Sequence, residues 1–180
     1  MRWEDEGLLI SVRKYGETSA LIELLTRSNG KRVGLLRGAF KKNLRPIIQP
    51  GNQLQAVWSS RLEYSLGEFK IEPLKSRFHL ITKYKEKVHL LNLVCTLCSA
   101  YLPERDEMNN LYEKTIDLLE SEKGLTLNLL YYIKWEMTLL KDLGFGLDLR
   151  KCVVTGSSDR LTFVSPKSGC AVSEQAAEGW

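Results

Sequence analysis

Between Leu24 and Leu62 the chain contains no aspartate or glutamate, yet it carries Arg27, Lys31, Arg32, Arg37, Lys41, Lys42, Arg45 and Arg61. Cations without interspersed carboxylates suit one chemistry best, the neutralisation of phosphates on a polyanion with release of its condensed counterions. Acidic protein tails and anionic lipid are competing partners, and a solvated basic face with no partner is the plain alternative. The charge balance favours a partner. Residues 1 to 72 hold 12 Lys and Arg against 8 Asp and Glu, whereas residues 73 to 180 hold 14 of each, so the whole net charge of +4 lies in the first part. The segment AFKKNLR joins Lys41, Lys42 and Arg45 to Phe40, a ring that can either stack on a base or anchor its loop.

Other chemistries find little support. No Gly-rich phosphate loop followed by Lys-Ser/Thr, no nucleophile elbow and no His-Glu-x-x-His run occurs. The two histidines, His79 and His89, stand ten residues apart with no carboxylate pattern beside them. Glu4, Asp5 and Glu6 are consecutive acids at a strand entrance, which rarely converge on one ion; a solvated N-terminus is the expectation. Cys95 and Cys98 lie on an apolar helical stripe and read as core residues, because a redox pair needs a helix N-terminus to stabilise its thiolate. The expected mechanism is therefore binding without catalysis.

The elements that must position these residues fall into two halves with different periods. Apolar residues alternate at Leu8, Ile10 and Val12, at Ala20, Ile22 and Leu24, and at Leu54, Ala56 and Trp58, predicting five short strands near 7–15, 19–27, 31–38, 53–63 and 66–73. Ser28-Asn29-Gly30-Lys31 is a hairpin turn, and Gly34 and Gly38 permit the coiling that closes a small barrel. Five such strands suggest an OB-fold β-barrel over residues 1–74. Trp58 and Phe69 are expected in its core. Residues 39 to 52, with Pro46, Pro50 and Gly51, form a long basic loop that is not a regular helix.

After Pro73 the period becomes 3.6, with helices expected from Leu80 to Leu102, from about Asp106 to Leu119 and from Leu125 to Leu143, the last stopped by Gly144. These predict a helical bundle domain over 75–180. Val153, Val154, Leu161, Phe163 and Val164 flank Thr155–Asp159 and predict a β-hairpin inserted at about 150–172. Ser173–Ala177 reads as a capped helix start close to Trp180, so the helical domain is expected to be truncated. The fold class is α+β and multidomain. With no basic-apolar leader and no long apolar run, the chain reads as cytoplasmic, with its four cysteines reduced.

Three stretches, EGLLISVRKYGETSALIELLTRSNGKRVGLLRGAFKK, QPGNQLQAVWSSRLEYSLGEFKIEPL and LGFGLDLRKCVVTGSSDRLTFVSPKSGCAVSEQAA, taken in order, resemble the RecO family of bacterial recombination mediators. The resemblance implies an OB-fold that binds single- and double-stranded DNA, followed by a helical domain bearing a ribbon near 150 to 176. It also implies annealing of complementary strands, engagement of the acidic tail of single-strand-binding protein, and loading of the RecA recombinase together with RecR. No nucleotide cofactor is implied.

The expected DNA contacts are Arg27, Lys31, Arg32, Arg37, Phe40, Lys41, Lys42 and Arg45. Lys75, Arg77, Lys83, Lys85 and Lys87 are candidate cations for the acidic tail. Some family members carry four zinc-binding cysteines in the ribbon. Here the corresponding positions are Cys152, Thr155, Ser173 and Ala176, with Cys170 offset, so Cys152 is a lone remnant and a metal-free hairpin is expected. An RNA-binding OB module, a metal-dependent nuclease and a structural protein that binds acidic peptides are the alternatives.

Overall fold

Strand β1, Arg2–Tyr15, is long enough to serve two neighbours. Its first half pairs antiparallel with β4, Gln53–Ser59, and its second half with β2, Ser19–Thr26. The register shifts between Leu9 and Ser11, a bulge that bends the strand from one partner to the other. Leu8, Leu9 and Ile10 are consequently all buried, although strict alternation would expose one of them. In a computed structural model, residues 1–62, 65–77, 85–108, 110–121 and 125–178 are described. The expected helical positions Leu80 and Tyr84, and His79, lie outside them.

β3, Lys31–Leu36, pairs with β2 and runs parallel to β5, Gly67–Lys75, which closes on β4. The result is a closed barrel in the order β1-β2-β3-β5-β4. Its core is built from Leu9, Ile22, Leu24, Leu54, Trp58 and Phe69, with Trp58 2% and Phe69 1% exposed. Each such side chain contributes roughly 1.5–3 kcal/mol by burial. Two glycines make room for the rings. A Cβ at Gly67 would stand 2.1 Å from Trp58, and one at Gly34 would stand 2.6 Å from Phe69, so neither position tolerates a side chain without repacking.

The strand entrance differs from expectation. Residues 2–6 are paired backbone of β1, and Asp5 accepts from the Ser28 amide and the Asn29 side chain, both at 2.8 Å, while Glu6 forms an ion pair with Arg27. Asp5 and Glu6 thus fix the β2–β3 hairpin instead of being merely solvated.

Helix α1, Lys85–Tyr101, buries Leu91, Val94, Cys95 and Cys98 and packs on β1 and on α2, Leu111–Glu120. Burial pushes both thiols up to about 12, as expected of core cysteines. α2 starts later than the expected Asp106, because Arg105 and Asn110 both adopt positive φ and break helical continuity there. The barrel, α1 and α2 make one compact unit, Met1–Glu122.

The second unit, Lys123–Trp180, begins with α3, Leu125–Asp142, which buries Trp135 and Leu139 and ends at Gly144 with φ +85°. Its hairpin pairs β6, Leu161–Val164, with β7, Ala171–Ser173. This corrects the expected arrangement, in which Val153 and Val154 formed one arm. Cys152–Ser157 instead closes into a tight loop, with the Cys152 amide donating to Ser157 O at 2.7 Å, and the Val153 amide joins β7 at Ala171 O. The four-residue α4, Glu174–Ala177, follows Ser173 at its N-cap, but that hydroxyl makes no capping bond. It donates to Cys152 Sγ at 3.4 Å, a sulfur that also accepts from the Thr155 amide. Those bonds, Ser173 first and then Thr155, lower the Cys152 thiol to about 6.

Candidate nucleic-acid interface

The loop from Arg37 to Asn52 connects β3 to β4 as a series of turns, with no regular helix. Its apolar side chains face the barrel. Ala39 and Ile48 belong to the buried core, and Phe40 and Ile47 pack against it. Phe40 is therefore a loop anchor, half-buried under the basic residues. With the apolar face held down, the intervening Lys41, Lys42 and Arg45 are left exposed.

The loop root is held on three sides. Gly51 and Asn52 exchange main-chain hydrogen bonds with Leu9 of β1, at 2.7 and 2.9 Å. Asn52 donates its side-chain amide to Pro46 O and Ile47 O, and its Oδ1 accepts from the Arg77 amide at 3.0 Å. Gly51, at φ +94°, lies so close to α1 that a Cβ would stand 2.7 Å from Leu91. A loop tied in this way presents its cations with little ordering cost on binding.

The eight cations of the acid-free window divide into two sets. Arg27 pairs with Glu6 and with Glu113, the latter at 2.7 Å, and lies over the Tyr112 ring; the Glu113 hydrogen bond in particular raises its pKa. Lys31 is buried and donates to Ser99 O of α1. Arg32 lies over Trp3 and Trp58 at 5.7 and 5.8 Å and donates to Asn29 O; burial, then the charge of Arg105, lowers its pKa. Arg37 is exposed but paired with Glu68 at 2.9 Å. Arg27 and Arg37 are thus paired with carboxylates, and Lys31 and Arg32 are engaged by main-chain acceptors and rings within the fold.

Lys41, Lys42 and Arg45 form the second set, to which Arg61 belongs although the sequence expectation left it out. Among the described residues none of the four has a carboxylate partner. Arg45 donates to Phe40 O at 3.1 Å, which shapes the loop without neutralising the charge. Within the acid-free window, the exposed cations without a carboxylate partner among the described residues thus lie on the β3–β4 loop, with Arg61 after β4.

The second group of expected cations is placed differently. Arg77, 2% exposed, donates to Gly51 O at 2.7 Å and to Gln53 Oε1 and Glu120 Oε1, both at 2.8 Å; burial lowers its pKa, opposed by Glu120. Lys75 pairs with the same Glu120, and the buried Lys87 donates to Ser121 O. These three tie the barrel and α1 to the end of α2. Lys83 and the Lys85 side chain lie outside the described residues. Among the described residues no three His, Cys, Asp or Glu side chains converge in a group that could hold a metal ion.

Comparison with known proteins gives the following relations. Residues 1–77 match the family described as Recombination protein O N terminal, and residues 86–180 match Recombination protein O C terminal. The chain is 44% identical over 184 residues to a DNA repair protein RecO of Cereibacter sphaeroides, covering 100% of this chain and 74% of that protein. A DNA repair protein RecO of a Ruegeria species is 45% identical over 183 residues, covering 100% and 75%. That of Rhodopseudomonas palustris is 41% identical over 180 residues, covering 100% and 70%.

Proposed function

The chain belongs to the RecO family of DNA repair proteins, and from that premise we propose that it binds DNA non-catalytically through the β3–β4 loop and promotes annealing of complementary strands. The observation that carries this reading is the exposed trio Lys41, Lys42 and Arg45, without carboxylate partners among the described residues, on a loop whose root is hydrogen-bonded to β1 and Arg77. Contacts of this kind are made to phosphates and leave base edges free. Lowering the repulsion between two strands while leaving the edges available lets base pairing drive the reaction. The same contacts accommodate duplex DNA. The chain has no need of a nucleotide cofactor for this role.

Partners follow from the family. Engagement of the acidic tail of single-strand-binding protein, and joint action with RecR in loading the RecA recombinase, are part of this proposal, together with a cytoplasmic location at the nucleoid. No helix among the described residues is long and apolar enough to cross a membrane. Arg77 and Lys87 are committed inside the fold, so a site for the acidic tail has to draw on other, exposed cations. The annealing role is tested with two complementary fluorophore-labelled strands. The chain is expected to accelerate energy transfer between them, and Lys41→Glu/Lys42→Glu to abolish that acceleration; equal rates for the two proteins overturn the assignment to this loop.

A further inference from the structure

A groove of about 690 Å³ opens directly beside the basic loop, between the loop and α1. Its walls are Pro46, Pro50, Val88 and Leu91, and its polar groups include Gln49, Asn52 and Asn92. The volume lies within the roughly 300–1,000 Å³ usual for small-ligand sites. Its walls are well fixed. Asn52 holds Pro46 and Ile47 through their carbonyls, and Leu91 is in close contact with Gly51. Asn52 spends its amide and its carbonyl on these bonds and on Arg77.

Asn92 is exposed and has no hydrogen-bond partner among the described residues, and Gln49 donates to Arg45 O while its own side-chain oxygen accepts no bond there. The groove therefore offers apolar walls with the Asn92 amide and the Gln49 side-chain oxygen at its edge. Arg45 directly precedes Pro46 of the groove wall and accepts from the wall residue Gln49 through its carbonyl, and its amide donates to the carbonyl of Lys41 one turn of chain away. An aromatic heterocycle attached to a phosphate backbone fits this combination. The ring takes the apolar walls, the amides meet its polar edge, and the attached phosphates meet Lys41, Lys42 and Arg45.

We infer that the groove between the β3–β4 loop and α1 receives one unstacked base of single-stranded DNA whose phosphates lie on Lys41, Lys42 and Arg45, and that it thereby distinguishes single strands from duplex. This rests on the DNA-binding reading above. A base inside a duplex is stacked and paired, and entering the groove requires breaking those contacts. The loop cations bind both forms, whereas the groove rewards only the single strand. Both amides are adaptable donors and acceptors, so any of the four bases is accommodated.

The test uses the full chain and an oligothymidylate with one central 2-aminopurine, read by acrylamide quenching of its emission, with single-strand and duplex affinities measured in parallel. The comparison variant is Val88→Met/Asn92→Met, which fills the groove without adding charge or an aromatic ring; its folding is checked by thermal melting. The expected result is at least threefold protection of 2-aminopurine in the wild-type complex. In the variant that protection is lost, single-strand affinity falls about fivefold and duplex affinity is unchanged. Salt-sensitive binding with no protection overturns the groove while leaving the loop reading intact. Absence of DNA binding by the folded wild type overturns both. Equal loss of single-strand and duplex binding in the variant overturns the discrimination. An acidic, apolar-ended peptide that binds the wild type and not the variant, with 2-aminopurine unprotected, assigns the groove to a protein partner and overturns the inference.

Discussion

The ammonium of Lys31 donates at 2.8 Å to the main-chain carbonyl of Ser99, joining the start of β3 to α1. The Ser99 hydroxyl in turn donates to Glu23 Oε2, and Glu23 pairs with Arg13 at 2.6 Å. A residue whose position in a basic run suggests a phosphate contact is therefore a clip between the barrel and the helix packed on it.

Replacing Lys31 by Ala is expected to lower stability by about 1–3 kcal/mol, the usual cost of leaving a buried acceptor without its charged donor. DNA affinity of the folded fraction is expected to stay within twofold. Urea unfolding and binding titrations measured on the same preparation check both parts.

Arg77 predicts a larger effect. Removing it by Arg77→Ala leaves Gly51 O and Gln53 Oε1 without their donor and Glu120 with Lys75 alone, and each buried acceptor left unsatisfied costs about 1–3 kcal/mol. Burial by itself would push the Glu120 carboxyl up, but the Lys75 hydrogen bond and the Arg77 charge together hold it below the ordinary carboxylate value. A depressed folded pKa means that this contribution is fully present above the unfolded pKa of about 4.3 and is lost as pH falls through the lower folded value. The acid limb of the stability profile should flatten in Glu120→Gln, as read by thermal melting between neutral and acidic pH.

The barrel is legible in the sequence because alternation marks the inward face of each strand and because Gly34 and Gly38 mark the third strand, whereas the bare backbone that Gly34 gives Phe69 and Gly67 gives Trp58 comes from packing across the barrel. The β3–β4 loop is legible from Pro46 and Pro50. The first residues of β1, Arg2 to Glu6, are not. Their polar composition carries no alternation, and only pairing with β4 from Ser59 to Gln55 makes them a strand. The roles of Lys31 and Arg77 are equally hidden, since their acceptors lie 68 and 43 residues away at Ser99 and Glu120. In the second unit, the tight loop at Cys152–Ser157 is held to β7 by contacts from Val153 to Ala171 and from Ser173 to Cys152 that local patterning does not encode.

Glu68 offers a gain of function. Its carboxylate neutralises Arg37, which stands at the entrance of the basic loop. Glu68→Gln frees that charge and adds one contact, so single-strand affinity should rise about two- to threefold and the log–log salt slope should steepen by about 0.7. Anisotropy titrations at several salt concentrations read both quantities.

The cysteines divide by environment. Cys95 and Cys98, buried and pushed up to about 12, should resist alkylation at neutral pH until the protein unfolds. The Cys152 thiol is held at about 6 chiefly by the Ser173 hydroxyl and then by the Thr155 amide. Ser173→Ala should therefore raise its titration midpoint, followed by thiolate absorbance across pH.

The central claim is that Lys41, Lys42 and Arg45 hold DNA phosphates while Arg27, Lys31, Arg32 and Arg37 are occupied within the fold. Fluorescence anisotropy of labelled single-stranded DNA across a salt series tests it most directly, comparing the wild type with Lys41→Glu/Lys42→Glu and with Arg27→Ala. The wild type and Arg27→Ala should show closely similar slopes, and the double variant should lose most of its affinity with a slope shallower by about 1.4, two single-strand phosphate contacts, at unchanged melting temperature. An unchanged slope in the double variant, or its loss in Arg27→Ala alone, contradicts the assignment.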